Sequence, residues 1–229
     1  STLKRRIASI SVIHKMKGHY LDTKHPLIME NLHGIKRVKG SNQKAKKPIL
    51  INDLKLIINA IGQANPSGNK KIRDKTLLLI GFSGGFRRSE LVNIEYEDLE
   101  FVNEGVKIFI KRSKTDQSGE GMIKAIPYFD NNNYCPVISL KEWIDVSEIK
   151  SGKIFEISDR SVALIIKKYA SLSGLDPNRY GGHSLRSGFA TSAAESGAEE
   201  RNIMAMTGHK TTQMVRRYIQ EANLFKNNA

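Results

Sequence analysis

A short β signal sits inside a chain that otherwise reads as helical. Between Leu99 and Tyr128 lies LEFVNEGVKIFIKRSKTDQSGEGMIKAIPY. Its segments VKIFIK and MIKAIPY alternate apolar and polar residues, as half-buried strands do. Asn103-Glu104-Gly105 and Ser118-Gly119 supply turn residues between them. The pattern predicts three antiparallel strands and no more. After the sheet come SLKEWIDV, SDRSVALIIKKYASLSG, SLRSGFATSAAESG, EERNIMAM and TQMVRRYIQ. Their apolar residues recur at helical spacing, and several open on Ser, Thr or Asp and close on Gly. The expected fold class is therefore mainly α with a small antiparallel β-sheet, an α+β arrangement.

Ahead of the sheet, residues 1–38 predict two helices separated by Gly18. Leu3, Ile7, Ile10 and Ile13 mark the first, and the second runs from Pro26 to Val38. KGSNQKAKKP, residues 39–48, is basic, polar and aperiodic, as a linker is. A second domain, residues 49–229, opens with Asn52 as the expected N-cap of a helix. Another helix is expected around Lys70 to Ser83, closed by Gly84-Gly85, and RRSELVNI begins the next. The opening STLKRRIASISVIHKMKGH reads as the middle of a helix, so the chain is expected to continue on the N-terminal side of Ser1.

Charge narrows the partners. The formal net charge is +14, which favours a polyanion, either nucleic acid or an acidic membrane surface. The longest apolar run, TLLLIGF, is far shorter than the ~20 residues of a spanning helix, so no membrane role is expected. Cys135 is the only cysteine. That excludes an internal disulfide and a cysteine-based zinc site, and it fits a reducing, cytoplasmic compartment. His14, His19, His25 and His33 lack carboxylate partners at ligand spacing, so no metal or other cofactor is expected.

The chemistry-bearing residues form a set. His183 and Arg186 stand at i and i+3 of a helix start and share a face. His209 follows Gly208 in a loop, and Tyr218 lies about two turns into the next helix. Arg87 and Arg88 enter a helix after Gly84-Gly85-Phe86, with Glu90 close behind. Lys114 sits in RSKTDQ, at the mouth of the hairpin. Each alone has an ordinary reading: a surface pair, a polar loop histidine, a half-buried aromatic, solvated cations. Together they match the tasks of cutting a phosphodiester. Arginine forks bind phosphate oxygens bidentately and keep their charge. Histidine exchanges a proton near neutrality. A lysine can protonate a leaving alkoxide. A tyrosine can attack once cations and a base favour its phenolate.

These residues resemble the tyrosine recombinase (phage integrase) family. GFRRSEL is similar to its first arginine box, with Arg87 at the arginine position and Glu90 at the supporting acid. RSKTDQ resembles its hairpin lysine segment, giving Lys114. HSLR resembles its H-x-x-R, giving His183 and Arg186, and GHKTTQMVRRY its terminal box, giving His209 and Tyr218. Phe86 stands where leucine is commoner. The resemblance implies a catalytic domain over residues 49–229 and, over residues 1–38, the last helices of a DNA-clamping core-binding domain. It implies that Tyr218 attacks a DNA phosphate to form a 3′-phosphotyrosine. Arg87, Arg186 and His209 would hold the phosphate oxygens, with His183 as base and Lys114 as general acid. It also implies double-stranded DNA as partner, a tetramer on two sites joined through the C-terminal tail, and accessory DNA-bending proteins. Arg88, Arg112, Thr115, Lys210, Arg216 and Arg217 are the expected further DNA contacts. Two alternatives stay open: a type IB topoisomerase, which relaxes DNA without a partner site, and a non-catalytic DNA-binding regulator.

Overall fold

The computed structural model of the chain describes residues 2–40, 46–64, 69–111, 121–209 and 211–222. The chain divides into two compact units, Ser1–Ala45 and Lys46–Ala229. The first holds helices α1 (Thr2–Met16) and α2 (Pro26–Lys39), and in neither is a residue buried. Pro26 starts α2, where a missing N–H costs nothing. His25 caps it, its Nδ1 accepting from the Leu27 N–H at 3.3 Å.

The second unit is built around α4 (Lys70–Ser83). Every residue from Thr76 to Ser83 is buried, so this helix is covered all round. It packs against α3 (Ile51–Gln63), α6 (Pro136–Ser147), α7 (Asp159–Leu172) and α8 (Ser184–Glu195). Leu77, Leu78, Leu79 and Ile80 form its apolar centre, each burial worth about 1.5–3 kcal/mol. The short α5 (Arg88–Leu91) leads to the sheet, and α9 (Glu200–Thr207) and α10 (Thr212–Ala222) follow α8. A smaller core of Ala190, Ala194, Ile203 and Val215 joins these last three helices. Among the described residues no helix is long and apolar enough to cross a membrane.

The sheet has three antiparallel strands in the order β1 (Leu99–Val102), β2 (Gly105–Ile110), β3 (Met122–Pro127). Strand β2 turns Val106, Ile108 and Ile110 inward. Because Val106 pairs with Ile126 and Ile108 with Lys124, the register puts Ile126 and Lys124 inside and Ile123 outside. The lysine, not the isoleucine, therefore faces the core.

One local expectation is corrected. Helix α3 starts at Ile51 with Leu50 as N-cap, so Asn52 lies in its first turn and caps nothing. The start is set by tertiary tethers instead. The Ile49 N–H donates to Ser184 O at 2.9 Å, and Lys47 pairs with Asp53 at 2.9 Å. Gly188 on α8 permits this approach, since a Cβ there would sit 1.9 Å from Ile49 O. The helix of RRSELVNI is only four residues long. Asn93 ends it by donating Nδ2 to Ser89 O at 2.8 Å, while Val92 and Ile94 turn into the core.

Candidate phosphate-binding active site

The starts of α5 and α8 and the segment after α9 border an open cleft of about 620 Å³, lined by Arg87, Arg88, His183, Arg186, His209 and Met214 among others. Arg87 is the N-cap residue of α5. Its Nη1 donates to Glu90 Oε1 at 2.5 Å, and its Nη2 to Gly208 O at 3.2 Å. Glu90 Oε2 accepts from the Arg87 N–H at 3.0 Å. The nearly buried carboxylate thus fixes both the backbone and the fork of one arginine.

Arg186 projects from the first turn of α8 and is 1% exposed. Its Nη1 donates to Gly85 O at 2.8 Å. Its Nε and Nη2 are buried and find no hydrogen-bond partner among the described residues. Buried donors left without a partner are costly in a folded core. Burial first, then the Arg87 charge, pulls the Arg186 pKa down to about 10, while Glu90 and Tyr218 oppose the shift. It remains charged at neutral pH.

Both histidines are held neutral. Burial, then Arg186, Arg87 and Arg88, lowers the His183 pKa. Burial, then the same two site arginines, His183 and Lys124, lowers that of His209 to about 4. His209 is placed by Gly208, which ends α9 in the left-handed region at φ +62°, a conformation glycine adopts without penalty. Its Nδ1 lies 2.7 Å from Thr207 Oγ1. That hydroxyl donates to Ile203 O, so the imidazole Nδ1–H is the donor to Thr207. The other nitrogen, Nε2, is then the acceptor of the neutral ring.

Tyr218 stands on α10, its ring 6.0 Å from that of His209 and tilted by 34°. It also packs against the small core of Ala190, Ala194, Ile203 and Val215. The core and site readings of this tyrosine are therefore compatible: it is half-buried against that core, and its hydroxyl is within electrostatic reach of Arg186.

The structure thus brings Arg87, Glu90, His183, Arg186 and His209 together, with Tyr218 alongside. Arg88 lines the cleft, its Nη2 3.9 Å from Asp159 Oδ2. Arg216 and Arg217 are exposed on α10, with Arg216 Nε 3.6 Å from Glu200. Lys114, Arg112, Thr115 and Lys210 lie outside the described residues. Two further residues belong to the site. Thr207 orients His209, and its position two residues before the histidine was the available signal. Lys124 donates to the Gly84 and Met206 carbonyls, in the segments that carry the site arginines' partners, and nothing in the sequence separates it from the other lysines.

The fold is that of tyrosine recombinase catalytic domains. The XerH site-specific recombinase bound to its palindromic difH substrate superposes with a TM-score of 0.65 at 20% identity, over 78% of this chain and 51% of that one. A model of the phage integrase family matches residues 49–224, and the chain belongs to that family. It is 43% identical to an integrase/recombinase XerD homologue of Selenomonas ruminantium, over 100% of this chain and 71% of that protein. It is 26% identical to a tyrosine recombinase of Agathobacter rectalis, over 96% and 72% respectively. The chain spans about half the length of the XerH chain.

Proposed function

We propose that this protein cuts and rejoins duplex DNA at specific sites through a covalent phosphotyrosine. The observation that carries the reading is Arg186: a charged side chain, 1% exposed, with two buried guanidinium nitrogens unpartnered among the described residues, beside Arg87 in one cleft. Such a pair suits the non-bridging oxygens of a phosphodiester, whose charge grows in the transition state.

Tyr218 Oη bonds to the scissile phosphorus, and the bond from phosphorus to the 5′ oxygen breaks. His183, neutral in the protein alone, takes the phenol proton. Lys114 protonates the departing 5′ oxygen. Arg87 and Arg186 hold the non-bridging oxygens. His209 becomes a further donor once the arriving phosphate offsets the arginine charges and the imidazole gains a proton. A 5′-hydroxyl from a partner strand then reverses the step. Because the phosphate ester bond is conserved in the intermediate, rejoining requires no nucleotide.

The same reading extends to partners. The XerH structure holds its difH substrate, that of the Tn1549 transposon integrase a circular intermediate DNA, and double-stranded DNA is the expected partner here. Arg88, Arg112, Thr115, Lys210, Arg216 and Arg217 would add contacts to its backbone. Strand exchange requires a tetramer on two sites, which the tail beyond Tyr218 would join, with accessory proteins bending the DNA. Deleting residues 222–229 should spare the monomer's fold and reduce assembly on DNA. We read the biological role as integration and excision of a mobile element, in the cytoplasm at the nucleoid.

A supercoil assay tests the function. The protein should recombine plasmids carrying its selected site, and a plasmid without a site should stay supercoiled. Relaxation of site-free plasmid would favour the topoisomerase reading. Site-specific binding with no strand breakage would favour a regulator.

A further inference from the structure

Lys124 occupies a position where β3 should carry an aliphatic residue. It pairs with Ile108, faces inward between Met122 and Ile126, and is fully buried. Burying an ammonium is costly unless it is well partnered. Its partners are specific. Nζ donates to Gly84 O at 2.7 Å and also to Met206 O. It lies 4.8 Å from the centroid of the Phe86 ring, within cation–π range.

The two carbonyls belong to the segments that hold the site arginines. Gly84 precedes Gly85, whose carbonyl receives Arg186 Nη1. Met206 lies two residues before Gly208, whose carbonyl receives Arg87 Nη2. One ammonium therefore ties the turn after α4 to the end of α9, and the same two segments accept from the two guanidinium groups. Arg87, Arg186 and Glu90 all act on its charge, and burial is the largest influence, bringing its pKa down to about 7. An aliphatic side chain would fill this place more cheaply, which points to a role beyond packing.

We propose that Lys124 is a positioning residue of the phosphate clamp, holding the Gly84 and Met206 carbonyls and so setting the spacing at which Arg186 and Arg87 meet the scissile phosphate. The inference rests on the reading of the cleft given above. Lys124 does not itself touch the phosphate.

The test is a double-mutant cycle on single-turnover cleavage of a nicked suicide substrate. Lys124→Met keeps the chain length and removes the donors. It should bind the DNA within about 3-fold of wild type and form the Tyr218 adduct about 10–100-fold more slowly, because displacements near 1 Å at a site cost up to 10²-fold. On an Arg186→Ala background the same substitution should cost less than about 3-fold, since the Arg186–Arg87 spacing it sets is already lost. Lys124→Gln, which keeps two N–H donors, serves in the same cycle if the methionine variant fails to fold. An equal loss on both backgrounds, or wild-type cleavage by Lys124→Met, overturns the proposal. Absence of a Tyr218 adduct from the wild-type protein overturns the reading of the cleft, and this inference with it.

Discussion

Thr207 Oγ1 accepts from His209 Nδ1 at 2.7 Å while donating its own hydrogen to Ile203 O. One threonine at the end of α9 therefore decides which imidazole nitrogen carries the proton. Thr207→Val keeps the shape and removes the acceptor. The ring then either buries an unsatisfied N–H or moves the proton to Nε2. Imidazole ¹⁵N shifts should show wild-type His209 protonated at Nδ1 and the variant shifted toward Nε2. Adduct formation should slow by about 10-fold, because the ring loses the bond that aims its Nε2 at the phosphate. A wild-type ring protonated at Nε2 would contradict the assignment.

The histidines also set a pH dependence. His209 has a pKa near 4 in the folded protein, and that of His183 is lowered too, against ~6.5 in an unfolded chain. Between those values the unfolded state binds more protons, so stability falls as pH drops from about 6.5 toward 4 and is unaffected by these groups above it. Melting at pH 7.5 and pH 5 should show a drop that is smaller in His209→Gln. Inorganic phosphate should raise the melting temperature more at pH 5, because an anion in the cleft favours the protonated ring. An identical drop in His209→Gln would remove His209 from the account.

Arg186→Ala should cost about 10²–10³ in cleavage rate, as loss of a donor to developing charge does. DNA affinity should change far less, because the chain's net charge of +14 supplies many other backbone contacts. Replacing a buried cation that lacks full pairing by a small neutral residue should not lower the melting temperature greatly. Wild-type rates in single-turnover cleavage would sink the clamp.

The order of the candidate residues and the single small sheet were legible in the sequence, because each rests on local pattern. Alternation marks strands, and phosphate chemistry limits the side chains that serve it. What the sequence hid depends on register and tertiary tethers. MIKAIPY alternates either way, and only the pairing of Ile108 with Lys124 turns the lysine inward. Asn52 has cap chemistry, yet with the tethers of Ile49 to Ser184 and of Lys47 to Asp53 α3 starts two residues earlier than an Asn52 cap would place it. Thr207 looks like any buried helical threonine until the His209 ring is seen beside it.

The central claim is that Tyr218 is the nucleophile, and covalent adduct formation tests it most directly. Wild type, given a nicked duplex carrying its selected site, should yield a slow-migrating protein–DNA species on a denaturing gel, with or without EDTA. Peptide mapping should place the DNA on Tyr218. Tyr218→Phe removes one oxygen and keeps the ring that packs on Ala190, Ala194, Ile203 and Val215. It should fold, bind DNA and give no adduct. An adduct that persists in Tyr218→Phe, or one mapped to another residue, would contradict the account.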